Sequence, residues 1–406
     1  MHERTPAWSL RVLALAYFIM GTGSLAVVGT LPGIARSLAV DADAIAPLVT
    51  ALAFTFAIGA PGLQILVGHW PRRTLILCGL AMMAIGALAT ALAEGYGTLM
   101  AARICTGLGA AAIGPVASAL GAGLVPAERK GHALAVVFSG MTLASVIGVP
   151  LSAWLGATFG WRACFVLIAA LTIGVAALVG WLVDAGQRGS RIHVGDLLAI
   201  IRDPAAASAV IVMVATMTAI FATYTLIVPI LQQQFGAGAE GVSFALLVFG
   251  LAGIAGNGLA RVIAVRWPAT RALAVSLAVL AAMFIAWTRT PAIYPLALAL
   301  LIVWAVASDV FMPSQQRRLV ELAPGASGLV LALNASALYA GMALGAYVAA
   351  VVAPRAGTTS LPWVSAGFIG LALAALGVSG RAVSGARSGA LGREAGSGPG
   401  STRPAP

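Results

Sequence analysis

Long apolar blocks separated by short polar segments run the length of this chain. They lie near 8–34, 44–67, 74–93, 97–122, 132–156, 161–183, 205–231, 241–264, 270–288, 292–313, 327–352 and 360–379. Each is close to or above the ~20 residues an α-helix needs to cross a bilayer core. A transmembrane β-barrel would instead show segments of about ten residues with alternating polarity. The pattern therefore predicts an all-α membrane protein with twelve transmembrane helices. The first block is too long for a signal-peptide core and lacks a small-residue cleavage site, so it is expected to remain as the first span.

The polar segments divide the chain further. Residues 184–204, containing DAGQRGSRIHVGD, form the longest loop and read as a linker between two six-helix halves, 1–183 and 205–379, with a short amphipathic helix around 195–201. The tail 380–406, rich in Gly, Ser, Arg and Pro, has too little apolar content to fold and is expected to be disordered. The halves share landmarks at nearly one offset. Pro32 matches Pro229 and the triplet at 69–71 matches that at 266–268, each 197 residues on; Pro126 matches Pro324 at 198, and Gly148 matches Gly345 at 197. Four such coincidences indicate a duplicated six-helix unit. Because six is even, the repeats are parallel, the plan in which a substrate binds near the midplane and one half rocks against the other.

Composition sharpens this reading. Only 9% of the 406 residues are charged and 61% are hydrophobic, which leaves too few charges to cover a water-facing surface. The net charge of +11 does not point to nucleic acid, because the basic residues are scattered between apolar blocks rather than gathered on one face. Placed on the loops, they sort by side: 18 of the 23 fall on the face that carries both termini, four on the other face, and Arg103 within a span. Basic residues concentrate in cytoplasmic loops, so both termini are expected in the cytoplasm, with the chain in the inner membrane. Cys78, Cys105 and Cys164 lie within apolar stretches and read as buried hydrophobes, and no His or Cys stands at metal-ligand spacing. No metal or cofactor is expected, and no GxxxxGK[ST] loop points to ATP. A membrane enzyme would need His, Asp, Glu or Cys clustered at one depth, and the sequence offers no such cluster.

The segment GTGSLAVVGTLPGIARSLAV, the loop ending WPRR, ARICTGLGAA opening the fourth block, and GMTLASVIGVPLSAWLGATFGWR together resemble the major facilitator superfamily, near its twelve-helix drug:proton antiporter branch and the arabinose-efflux-permease-like exporters. YTLIVPILQQQFG, FGLAGIAGNGLA and LALNASALYAGMALGA fit the same branch, and the likeness covers residues 8–380. It implies a single working chain that exports a small organic compound through lipid, powered by a proton gradient.

The likeness also assigns candidate residues. Arg103 corresponds to the family's intramembrane arginine, for which a cavity role and a structural pairing are both open. Arg72 and Arg73 stand in the latch loop after span two, but Gly68 replaces its usual Asp, so gating and topology are equally open roles. Gly140, Gly148 and Pro150 match the antiporter-associated motif, with Val149 and Ala153 where glycines are usual; they read as packing and rocking elements in a bent helix. Ser24 occupies the position of the coupling Glu that many such exporters carry. Rise per residue puts Ser24 about 22 Å above one end of span one and Arg103 about 9 Å below the corresponding opposite surface, at similar depth. Arg103 is then expected to be solvated by water and hydroxyls such as Ser24, Thr22 and Tyr224, or by an anionic substrate group. Asp309 is the one acid well inside a span, with Asn257 and Asn334 at comparable depth. It is the candidate proton carrier, and pairing with Arg317, Arg318 or Arg261 explains it equally. An uncoupled facilitator or importer of a neutral or anionic metabolite is the alternative function on the same fold.

Overall fold

The computed structural model describes residues 6–126, 129–184, 187, 188, 195, 202, 204–322 and 327–396. The short linker helix expected around 195–201 lies outside the described residues apart from Gly195. Among the described residues fourteen α-helices follow in order: α1 (Pro6–Leu38), α2 (Ala46–Val67), α3 (Arg72–Ala91), α4 (Tyr96–Gly123), α5 (Lys130–Leu143), α6 (Val149–Thr158), α7 (Trp161–Leu182), α8 (Pro204–Tyr224), α9 (Ile227–Phe235), α10 (Ala239–Arg266), α11 (Ala269–Arg289), α12 (Tyr294–Leu322), α13 (Ser327–Ala356) and α14 (Leu361–Gly396). Among the described residues twelve membrane-length spans result, because α5 and α6 share the fifth and α9 follows α8 in the seventh. A helix satisfies its own backbone polar groups, which is why helices can stand in hydrocarbon. Side chains such as Leu66, Ile85, Leu92, Ile173 and Val265 are exposed on the surface, where a lipid belt would cover them.

Both helix interruptions have a proline as their cause, but only the one at Pro150 was expected from the sequence. In the fifth span Pro150 has no N–H to give the Val146 carbonyl, and the helix widens into a π turn at Ala144–Gly148. The Val149 amide donates to the Ala144 carbonyl, five residues back. In the seventh span, read from the sequence as one block, Pro229 leaves the Thr225 carbonyl without its helical donor and the helix breaks between Tyr224 and Ile227. The tenth span instead passes through Pro313 to Leu322, which puts Arg317 and Arg318 on a helix rather than in a loop.

The tail is a correction. Helix α14 continues to Gly396, through residues for which no structure was expected. From Arg381 to Gly396 the sequence has no proline, and its Ala, Arg, Leu and Glu residues carry little helical penalty. Cys78 is another, being exposed on the lipid-facing surface.

The duplication is visible in the packing. In the first half α3 lies on α4 and α7, α2 on α4, and α1 on α5; in the second, α11 lies on α12 and α14, α10 on α12, and α8 on α13. Pro71 and Pro268 cap α3 and α11 in matching extended conformations, with φ/ψ of −56°/127° and −58°/148°. Gly148 and Gly345 each seat the fifth helix of a half on its first: a Cβ on Gly148 would collide with Thr22, and one on Gly345 would lie 2.6 Å from the Thr218 carbonyl.

Alternation of the spans puts one set of loops, with the termini, on a basic face and the other set on the opposite face. Between the halves, α10 packs along the π turn and α6 and touches α5 only sparsely, while α9 reaches α1 near the opposite face. This seam is thus closed from midplane to the opposite face and loosens toward the basic face. On the other flank α2 lies along α13, with Phe56 and Tyr339 stacked at 3.4 Å between ring centroids.

Candidate functional site

The seam between α10 and the fifth span depends on the absence of a side chain. A Cβ on Gly250 would stand 2.6 Å from Val146 Cα and 2.7 Å from the Ser145 carbonyl oxygen, so only glycine lets α10 reach the π turn. On its other side the π turn lies on α1, where a Cβ on Gly21 would be 2.8 Å from Ala144 Cβ. Gly140 sits directly on the Ala14 carbonyl. Pro150, buried just beyond the turn, gives it its shape. Gly140, Gly148 and Pro150 therefore meet at one continuous contact, in which the fifth span is clamped between α1 of its own half and α10 of the other.

Arg103 is buried at 1% exposure and is enclosed by main-chain carbonyls rather than facing an open cavity. Its guanidinium donates from Nη1 to the Gly23 oxygen at 3.0 Å, from Nη2 to the Ser24 oxygen at 2.6 Å, and from Nε to the Leu48 oxygen at 3.5 Å. Arg103 and Ser24 thus lie at one depth and touch, but through the backbone of Ser24. The Ser24 hydroxyl donates to its own helix at Met20, 2.7 Å away. Thr22 faces Gly148, and its Oγ1 is buried without a hydrogen-bond partner. Tyr224 stands in the second half among Phe221, Phe249 and Trp304. The four residues expected to share one cavity therefore occupy three places. Carbonyls can hold a guanidinium because each has a second lone pair after its helical bond. Replacing Arg103 with alanine removes three donors that tie α4 to α1 and α2, and the folded state is expected to lose about 2–4 kcal/mol. A lowered melting temperature in detergent checks this; a variant that melts with the wild type would show that the cage does not hold the helices.

Asp309 occupies a notch in α10. A Cβ on Gly253 would stand 2.6 Å from its Oδ2, and one on Gly256 would stand 2.9 Å from its Cβ. Asn257 donates from Nδ2 to Oδ1 at 2.6 Å. The partner in hydrogen-bond contact is thus a neutral amide. Arg317, one of the alternatives, is engaged elsewhere: it donates to the Ala264 and Trp267 carbonyls at 2.7 and 2.6 Å and pairs with Glu321 at 3.3 Å. Asn334 lies on α13, 3% exposed, and its Oδ1 has no hydrogen-bond partner among the described residues.

Arginines elsewhere also bind helix-terminal carbonyls. Arg72 donates to Ala119 near the end of α4 at 2.6 Å and reaches the Gln187 side chain at 3.5 Å, Arg73 donates to Gly180 near the end of α7, and Arg162 donates to Ala93 at 2.9 Å. Positive charge suits the C-terminal end of a helix dipole. With 12 acids against 23 basic residues, carbonyls take the place of scarce carboxylates. Arg72 and Arg73 bind the first half and the linker together on the basic face. Trp161, at the start of α7, is buried at 4% and donates to the Ser37 hydroxyl at 3.1 Å.

These features can be set beside known proteins. Residues 13–346 match the family model of the Major Facilitator Superfamily. The inner membrane transport protein YdhP of Escherichia coli strain K12 is 33% identical over 381 residues, covering 92% of this chain and 96% of its own. A chloramphenicol efflux pump of Mycobacterium tuberculosis is 29% identical over 390 residues, 92% of each. The crystal structure of a bacterial homologue of the human lysosomal transporter Spinster, in an inward-facing and unoccupied conformation, shares the fold with a TM-score of 0.76 at 15% identity, over 94% of this chain and 98% of that one. This chain belongs to the major facilitator superfamily and is a multi-pass membrane transporter, not an enzyme.

Proposed function

We propose that this transporter exports a small organic compound across the inner membrane by alternating access, as a proton-coupled antiporter with Asp309 as the proton carrier and both termini in the cytoplasm. The observation that carries the coupling is the placement of Asp309. Its carboxyl group is about 23 Å along α12 from the Tyr294 end and is held by a neutral amide. Such a group can change protonation without breaking an ion pair to an arginine. Export is supported by a relative named as an efflux pump, and orientation by the bias of basic residues. Each guanidinium nitrogen of Arg103 donates to a main-chain carbonyl within a buried cage, so its setting does not favour an anionic cargo, and a neutral compound is the cargo proposed. One chain carries the whole path and works alone in lipid.

Proteoliposomes with an imposed pH gradient and chloramphenicol as probe test this. The expected result is accumulation that collapses to passive leak when a protonophore dissipates the gradient. The facilitator reading is favoured by Ser24 standing where the acid is usual, and it predicts a flux indifferent to the gradient.

A further inference from the structure

We propose that a nest of aromatic rings around Trp304 in the second half is the substrate-recognition site, and that it takes a flat aromatic compound carrying a hydrogen-bond acceptor. The proposal rests on the transport reading above and adds a site and a chemical class. The Trp304 ring is surrounded by Tyr224 at 6.1 Å, Phe249 at 5.6 Å, Phe284 at 5.0 Å and Trp287 at 6.1 Å between centroids, mostly edge to face. These residues come from α8, α10, α11 and α12.

Three observations distinguish the nest from ordinary packing. The first is unmet hydrogen bonding. The indole N–H groups of Trp304, at 0% exposure, and of Trp287, at 3%, have no acceptor among the described residues. An indole can only donate, and an unpaired buried donor is unfavourable, so two side by side call for an acceptor brought from elsewhere. Thr225, next to Tyr224, has its acceptor in the Phe221 carbonyl four residues back, whereas the Ser308 hydroxyl, one turn on from Trp304, is left without a partner among the described residues, like the two indoles.

The second is the internal repeat. At the 197-residue offset, Trp304 corresponds to Gly107, Phe249 to Leu52, Tyr224 to Val27, Phe284 to Ala87 and Trp287 to Thr90. In the first half Gly107 packs against the Leu52 carbonyl, at 2.7 Å from where its Cβ would be. The fold thus closes the same helix contact with a glycine and a leucine, and the rings are an addition confined to the second half.

The third is location. Trp304 and Phe249 each lie about 15 Å from the start of their helices at the opposite face, near the midplane. Tyr224 ends α8 at the break in the seventh span, and broken helices at this depth commonly frame substrate sites in transporters. Phe249 adjoins Gly250, the residue that seats α10 on the π turn. Phe249 is half-buried while Trp304 and Phe284 are closed off, so the nest has its mouth at the seam and its floor behind. Parting the halves along the π turn uncovers Phe249 first.

The test uses the full chain in proteoliposomes, with chloramphenicol as the aromatic probe bearing acceptors and arabinose as an aliphatic one. Trp304→Phe keeps a ring and removes the N–H; Phe249→Leu installs the residue that the first half uses at the same place. Each variant is expected to raise KM for chloramphenicol about tenfold or more, the loss of roughly one hydrogen bond or ring contact, with the maximal rate within about twofold of wild type. If Trp304→Phe does not fold, judged by size exclusion and melting, Phe249→Leu carries the test. The proposal is overturned if KM stays within about twofold in the folded variants. It is also overturned if the wild type moves arabinose and not chloramphenicol, in which case the transport reading stands. A wild type that moves no compound in a broad panel, with or without a gradient, overturns both.

Discussion

A Gly250→Leu variant is expected to insert and fold but to lose at least about tenfold in transport rate. The reason is steric and local. The first atom of the new side chain would stand 2.6 Å from Val146 Cα and 3.0 Å from the Ser145 carbonyl carbon, and both are backbone, which cannot rotate away. The clash lies at the contact between halves, so the packing within each half is untouched while the seam is wedged open. A transporter that must close this seam once per cycle is then held out of one of its two states. Gly258 on the same helix provides the control, because a Cβ there meets nothing within 4 Å and alanine is expected to be neutral. Initial rates from matched proteoliposomes, with monodispersity in detergent as the folding check, decide the matter. Wild-type rates from Gly250→Leu would show that the halves do not need this contact to move.

Asp309→Asn is expected to abolish uphill transport while sparing gradient-independent exchange of the same compound. The amide is close to isosteric and its oxygen can still accept from Asn257, so the α10–α12 notch should hold. What it cannot do is lose and regain a proton. One proton crossing 100 mV supplies about 2.3 kcal/mol, enough for about 50-fold accumulation, and the variant should fall to no accumulation at all. Accumulation ratios read with and without the gradient make the comparison. An Asp309→Asn protein that concentrates its substrate like the wild type would move the coupling role elsewhere.

The spans were legible because lipid imposes a crude and strong rule, one long apolar run per crossing. The break after Tyr224 was not, because Pro229 lies inside an unbroken apolar block and nothing polar marks the gap. The shape of the fifth span was partly legible: Pro150 signalled a disturbance, but a π turn depends on which carbonyl accepts the Val149 amide. Arg103 shows why partners are harder to read than positions. Rise per residue set its depth beside Ser24, yet main-chain carbonyls leave no mark in sequence, so the groups that hold it emerged only from the fold. Asp309 and Asn257 were placed at one depth from sequence and are bonded, whereas the glycines that make room for the carboxylate were part of a recognised string without a role. The rings around Trp304 are scattered from position 224 to 304, and no periodicity connects them until four helices converge.

Alternating access about the π-turn seam is tested most directly by distances between paired spin labels across the halves. One pair, Leu66 and Val265, sits at the basic ends of α2 and α10. The other, Leu92 and Ile293, sits toward the opposite face, and all four residues are exposed. Measured in lipid nanodiscs over a series of pH values, the account predicts anticorrelated shifts, with the basic-face pair drawing together as the opposite-face pair separates. Distances that stay fixed, or that lengthen together, would contradict it.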